Sequence, residues 1–207
     1  MKRTLVAALL FMLLLQSTVL GFDGLRKGFV VGGGLGVAAT AKWSVDVPTN
    51  MISNIPGGAT DESNVGVGGH FLIGYAWDEY NMIVYEGNGC AYTSDVFNDE
   101  TSDDLSGKSA QSFGGATWYH YFGPLGKSFF SVVGVGAFAW KVKGYEMNDP
   151  GTAYIVGGGY EFAKHFQAGV YLSGGKTSDK ITLPDGQTES IDFGHMHVNI
   201  LVTAVAY

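Results

Sequence analysis

From Phe22 onward apolar side chains recur at every second position, and no window of the chain carries a helical period. In one segment Val65, Val67, Phe71, Ile73, Tyr75 and Trp77 share a face, while Gly66, Gly68, His70 and Gly74 share the other. The same alternation sets Phe29, Val31, Leu35 and Val37 against Gly32, Gly34 and Gly36, and Phe166, Ala168, Val170 and Leu172 against Gln167, Gly169, Tyr171 and Ser173. The period predicts eight strands, at about 27–40, 64–77, 80–92, 109–122, 128–142, 152–162, 165–176 and 189–207. In the strand at 128–142 both faces are apolar, and Gly134 and Gly136 are placed inward by analogy with the first strand.

The connectors alternate in length. The first, third, fifth and seventh are long and polar, as at 41–63 and 93–108. The second, fourth and sixth are tight: Asp78-Glu79, Gly123-Pro124-Leu125-Gly126 and Ala163-Lys164. Short turns at one end and long loops at the other are what an up-and-down barrel in an outer membrane needs, and a closed barrel lets strands pair every backbone group without an edge. The predicted class is therefore all-β, an eight-stranded antiparallel up-and-down transmembrane β-barrel over residues 22–207. Small inward residues fit a barrel whose interior is just wide enough for side chains to fill it.

Composition sharpens this picture in two places. Thirty-two glycines among 207 residues disfavour helices. At the start, Lys2 and Arg3 precede an apolar run at 5–15 and then Val19-Leu20-Gly21, the layout of a signal peptide cleaved after Gly21. Export to the outer membrane follows from that reading. Without Lys2 and Arg3 the mature chain is more acidic than the net charge of -7, which removes the general attraction to nucleic acid. The single Cys90 allows no intramolecular disulfide.

A leader, eight amphipathic strands, loops of alternating length and a last strand ending Val205-Ala206-Tyr207 resemble the small outer-membrane barrel family of OmpA-like, OmpX-like and OmpW-like domains. The resemblance covers the whole mature chain. It implies outer-membrane lipids and lipopolysaccharide as surroundings, the barrel-assembly machinery as a partner during insertion, and Tyr207 as the terminal aromatic of the assembly signal. Val205, Thr203 and Leu201 fill the alternate positions before it, while Asn199 and His197 depart from the pattern. The lipid-facing set in this strand, Met196, Val198, Ile200, Val202, Ala204 and Ala206, puts Tyr207 inward, in conflict with a signal that faces lipid.

The candidate chemistry is thin. Both 34–39 and 134–139 match a GxGxxA fingerprint, but neither is followed by the helix a dinucleotide site requires. The predicted inner face carries His70, Glu86, Asn88, His120, Glu161, Gln167, His195, His197 and Asn199, a polar network that must be hydrogen-bonded internally. His195 and His197 are a possible metal pair that lacks further ligands, so no metal or cofactor is expected. The segment 195–199 lacks the His-x-Ser spacing of lipid A deacylases, and no catalytic residue is assigned. Asp95, Asp99, Glu100, Asp103 and Asp104 form an acidic external loop without an EF-hand pattern. The expected role is structural, permeability or surface interaction without catalysis, with a conduit for small hydrophobic molecules or a lipid A-modifying enzyme as alternatives.

Overall fold

The structure is a computed structural model that describes residues 25–46, 64–93, 108–142, 145–146, 149–182 and 188–207. The leader at 1–21 and the acidic stretch at 95–104 lie outside the described residues. The strands are β1 (Gly28–Asp46), β2 (Val65–Ala76), β3 (Asn81–Thr93), β4 (Lys108–Tyr121), β5 (Ser128–Val142), β6 (Tyr145–Glu146), β7 (Asp149–Ala163), β8 (Phe166–Thr182) and β9 (Thr188–Ala206). Among the described residues the two-residue β6 pairs only with the end of β5. The other eight close a ring: each pairs antiparallel with its neighbours, β4 with β5, β5 with β7, and β9 with β1. The eight-stranded antiparallel barrel expected from the alternation is the fold observed.

Burial alternates along the wall. In β2 the side chains of His70, Leu72 and Ala76 are buried, while Val65, Val67, Phe71, Ile73 and Tyr75 are exposed. Gly134 faces the interior of β5, between the buried Val132 and Phe138. Inward glycines let neighbouring backbones approach. A Cβ on Gly36 would stand 1.9 Å from the Ile200 carbonyl oxygen on β9, whereas one on the outward Gly33 would meet nothing nearer than 3.6 Å.

Some strands run further than the apolar period suggested. β1 continues to Asp46 and pairs with β9 through a register shift between Thr40 and Lys42. The β8–β9 ladder extends to Thr182 opposite Thr188, so the seventh connector, expected to be long, is mostly paired strand. The sequence Lys176 to Thr182 is polar, and polar strands can pair above an apolar belt because water solvates both faces; the alternation that marks a strand in the belt is then lost.

Among the tight turns, the β7–β8 turn is Lys164-His165, with His165 in the left-handed region at φ 69°. His165 ties down the last strand, its carbonyl accepting from Val205 N at 2.8 Å. In the β4–β5 turn Gly126 has φ 84°, and a Cβ there would also lie 3.0 Å from Lys164 N, so glycine is required twice over.

Replacing Gly36 with alanine should destabilise the β1–β9 seam by about 1–3 kcal/mol through overpacking. Gly33→Ala should stay within about 0.5 kcal/mol of the parent. Equilibrium urea unfolding of the two variants gives the comparison, and equal losses would show that the inward approach of the strands is not what constrains Gly36.

Candidate functional site

The lumen is filled by side chains from all eight barrel strands, in layers that run from the tight-turn end to the loop end. Near the tight turns sits Arg26, just ahead of β1 and 1% exposed. Its Nη1 donates to the Glu79 carbonyl in the β2–β3 turn and, at 3.4 Å, to the Gly123 carbonyl in the β4–β5 turn. Its Nη2 pairs with Glu161 Oε2 at 2.5 Å, and its guanidinium lies 3.7 Å over the Tyr121 ring. Glu161 also accepts from Gly126 N at 2.6 Å and from the Tyr207 hydroxyl at 3.1 Å. One ion pair thus joins the β2–β3 and β4–β5 turns to β7 and, through Glu161, to Tyr207. Tyr121 completes the layer by donating to Gln167 Oε1 at 2.8 Å.

Mid-lumen belongs to Glu86, fully buried on β3. Its carboxylate accepts from His70 Nδ1 at 3.0 Å, Asn88 Nδ2 at 3.2 Å and the Tyr119 hydroxyl at 2.7 Å. His70 reaches on through Nε2 to Thr203 Oγ1 at 2.7 Å. Further toward the loops, Asn88 Oδ1 accepts from Asn199 Nδ2 at 2.6 Å and from His197 Nε2 at 3.4 Å, and His195 Nε2 meets Thr177 Oγ1 at 2.9 Å. Phe138 stacks on His195 with ring centroids 5.6 Å apart.

Of the nine residues expected inside, eight are buried: His70, Glu86, Asn88, Glu161, Gln167, His195, His197 and Asn199. His120 is the correction. It lies on the outer face of β4, beside the tight-turn rim, with its ring 4.7 Å from Phe122 and its Nδ1 2.9 Å from Asn81 Oδ1. The lower half of β4 carries aromatics on both faces, Tyr119 and Tyr121 inward and Trp118 and Phe122 outward, so the sequence offered no contrast from which to set its phase. Asp78 caps the same rim by accepting from Tyr80 N and Asn81 N, each at 2.7 Å. The Asn81 side chain, foremost among its partners, holds the exposed Asp78 carboxyl below its ordinary value. Arg26 was not foreseen; it lies ahead of the first strand expected from the sequence, and only its position directly before β1 could have marked it.

Tyr207 points inward and is 1% exposed, with continuous β9 registers on both sides up to Ala206 and Ala204. No bulge turns it outward. Asn199 and His197 interrupt the apolar series ending in Tyr207 because that series faces the lumen.

Glu86, His70 and Thr203 stand in the relation of acid, base and hydroxyl nucleophile. The hydroxyl has no room to act: Thr203 is fully buried, and a Cβ on Gly34 would already be 2.5 Å from its Oγ1. Among the described residues no three of His, Cys, Asp and Glu gather as a metal set. A groove of about 580 Å³ lies on the outer wall, where Gly89, Ser112 and Ala137 leave the strands bare between Leu35, Phe71 and Tyr85.

No family model matches the chain, and no curated relative does. Solved structures similar to it include the outer membrane protein OprG from Pseudomonas aeruginosa, at 12% identity over 89% of this chain and 99% of that one, with a TM-score of 0.47. Neisserial surface protein A is similar at 14% identity over 86% and 96% of the two chains, TM-score 0.42. The outer membrane protein AlkL is similar at 12% identity over 88% and 92%, TM-score 0.45.

Arg26→Ala would leave Glu161 buried without its cation, and the expected loss is about 3–5 kcal/mol. Adding Glu161→Gln should return part of it. A double-mutant cycle by urea unfolding measures the coupling; additive losses would show that the two groups stabilise the barrel independently. At the rim, Asp78→Ala should loosen the β2–β3 turn only above about pH 4. The sign follows from a lowered folded-state value: the contribution is present above the unfolded carboxylate value and is lost as pH falls through the folded one. Amide exchange of Tyr80 and Asn81 across that range reports it, and a pH-independent difference would remove Asp78's charge from the explanation.

Proposed function

We propose that this chain is an integral outer-membrane β-barrel of a Gram-negative-type cell envelope, sealed along its lumen, with a structural or surface-interaction role and no catalysis. The observation that carries the reading is the reversal of polarity across the wall. Leu35, Val65, Phe129 and Val135 are 67–76% exposed on the outside, while Glu86, Glu161, Asn88 and Gln167 are at most 1% exposed inside. A closed ladder has no second layer to cover such an outer face, so the medium around it has to be apolar. Outward Trp77, Tyr80, Trp118, Phe122, Tyr160 and Phe166 gather near the tight turns, where an aromatic girdle marks a membrane interface.

In this reading the tight turns face the periplasm and the loops face outward, with lipid and lipopolysaccharide around the wall. The barrel-assembly machinery inserts the chain, with Tyr207 in its terminal signal. Passage of small hydrophobic molecules would need an open route, and the buried Phe113, Phe138 and Leu201 on the inner face speak against one. The outer groove runs along the wall rather than through it.

The mature protein should begin near Phe22, fractionate with outer membrane and show little steady conductance in planar bilayers; recovery from the soluble periplasm, or large porin-like currents, would overturn the reading. Phe71→Arg, on the outer face of β2, should cost about 2–4 kcal/mol at the bilayer midplane. Its neighbour Leu72 pairs in register with Glu86, so the effect of Leu72→Arg should depend on Glu86 whereas that of Phe71→Arg should not. A harmless Phe71→Arg would mean that this wall does not face lipid.

A further inference from the structure

The hydrogen bonds above Glu86 have a fixed direction. A carboxylate only accepts, so Asn88 turns its amide nitrogen to Glu86 and its Oδ1 toward the loop end. That oxygen in turn requires donors, which are Asn199 Nδ2 and the N–H at His197 Nε2. What remains beyond them is the opposite polarity. His197 Nδ1 is left as a bare lone pair and Asn199 Oδ1 as an open acceptor, neither having a partner among the described residues. His195 Nε2 meets the Thr177 hydroxyl, which serves either tautomer, and its Nδ1 is likewise without a partner among the described residues. Ser173, the register partner of His197 on β8, adds a buried hydroxyl that likewise lacks a partner. These four residues are no more than 4% exposed.

We propose that His195 and His197 bind a divalent transition-metal ion through their Nδ1 atoms, copper(II) in preference to the others, in the loop-side half of the lumen. Alternate residues of a strand stand about 7 Å apart on one face, close enough for two imidazoles to converge on one ion. In each ring Nε2 is held by an oxygen, the outer contact that orients a ligating imidazole, and at His197 the amide oxygen of Asn88 also fixes the tautomer. Phe138, and Trp140 with its centroid 4.6 Å from that of His195, restrain the ring further. Asn199 is too far along β9 to ligate the same ion as His195. It is instead placed, with Ser173, to accept hydrogen bonds from the waters that complete a tetragonal N2O2 sphere. That geometry and donor set favour copper(II), which imidazole sites also bind most tightly among the divalent first-row ions.

The chain's five histidines let the site be isolated: His120 and His165 sit at the rim, and His70 is engaged at both ring nitrogens. In a His120→Gln/His165→Gln background, refolded barrel titrated with copper(II) should take up one ion per chain, with hyperfine splitting from two nitrogens in its electron paramagnetic resonance spectrum. Adding His195→Gln or His197→Gln should reduce the pattern to one nitrogen and weaken binding at least tenfold. Asn199→Ala should keep the two-nitrogen pattern and weaken binding severalfold. For independence from the variants' folding, sub-stoichiometric copper added to wild-type protein should broaden the ring resonances of His195 and His197 before those of His70. No uptake in the rim-histidine background, a spectrum unchanged by either lumen substitution, or first broadening at His70 would each overturn the proposal.

Discussion

Closure of the hydrogen-bonded ring is the constraint on which everything else depends. A strand wall with an apolar outside keeps its backbone groups paired only if the last strand returns to the first, as β9 does to β1 over a register running from Val31 and Ala206 to Asp46 and Asp192. Eight strands make that ring narrow. Narrowness then dictates the inner face: Gly34, Gly36, Gly66 and Gly74 stand where a Cβ would meet atoms of the neighbouring strand or of facing side chains at 1.9–2.5 Å. It also means that the interior cannot hold bulk water along its length, so the polar side chains placed there draw their partners from across the lumen.

The two buried carboxyl groups meet that requirement differently. Glu161 is matched by a full cation, Arg26, which also takes up the turn carbonyls of Glu79 and Gly123. It serves as a bolt across the mouth. Glu86 has no guanidinium and is held by donors from His70, Asn88 and Tyr119. Its acceptor character passes through Asn88 to orient Asn199 and His197. A single carboxylate therefore sets, through Asn88, which way Asn199 and His197 present their open acceptors.

The legible part of this protein was the part governed by a period of two. The faces of β2 and β8, the inward glycines and eight of the nine lumen residues follow from alternation alone, because each face met a different medium. His120 was misplaced where that contrast fails, at a rim where the interface welcomes aromatic and imidazole rings on the outside as the core does on the inside. The polar residues Thr177 to Thr182 of β8 carry no alternation, so that end of the strand was not legible. Arg26 belongs to no strand, so no period could reveal that its side chain turns back to fill the mouth. Which partners the lumen groups choose was not legible at all, since a pair such as His70 and Thr203 is separated by 133 residues and meets only across the closed ring.

Glycine on the outer face poses a problem opposite to that of glycine inside. Outward glycine leaves the ladder bare to its surroundings. Here aromatic neighbours cover it. The Phe71 ring lies over Gly87, its Cε1 2.3 Å from where a Cβ would be; Tyr85 Oη stands 3.0 Å from the corresponding point on Gly114, and Tyr154 Oη 2.7 Å from that on Gly174. Phe71 and Gly87 are directly paired across β2 and β3, as Tyr154 and Gly174 are across β7 and β8. The large residue of each pair occupies the space of two and pins the register by shape. Where the cover stops, around Gly89, Ser112 and Ala137, the wall is left concave, and the outer groove is the uncovered remainder of the same glycine-rich patch.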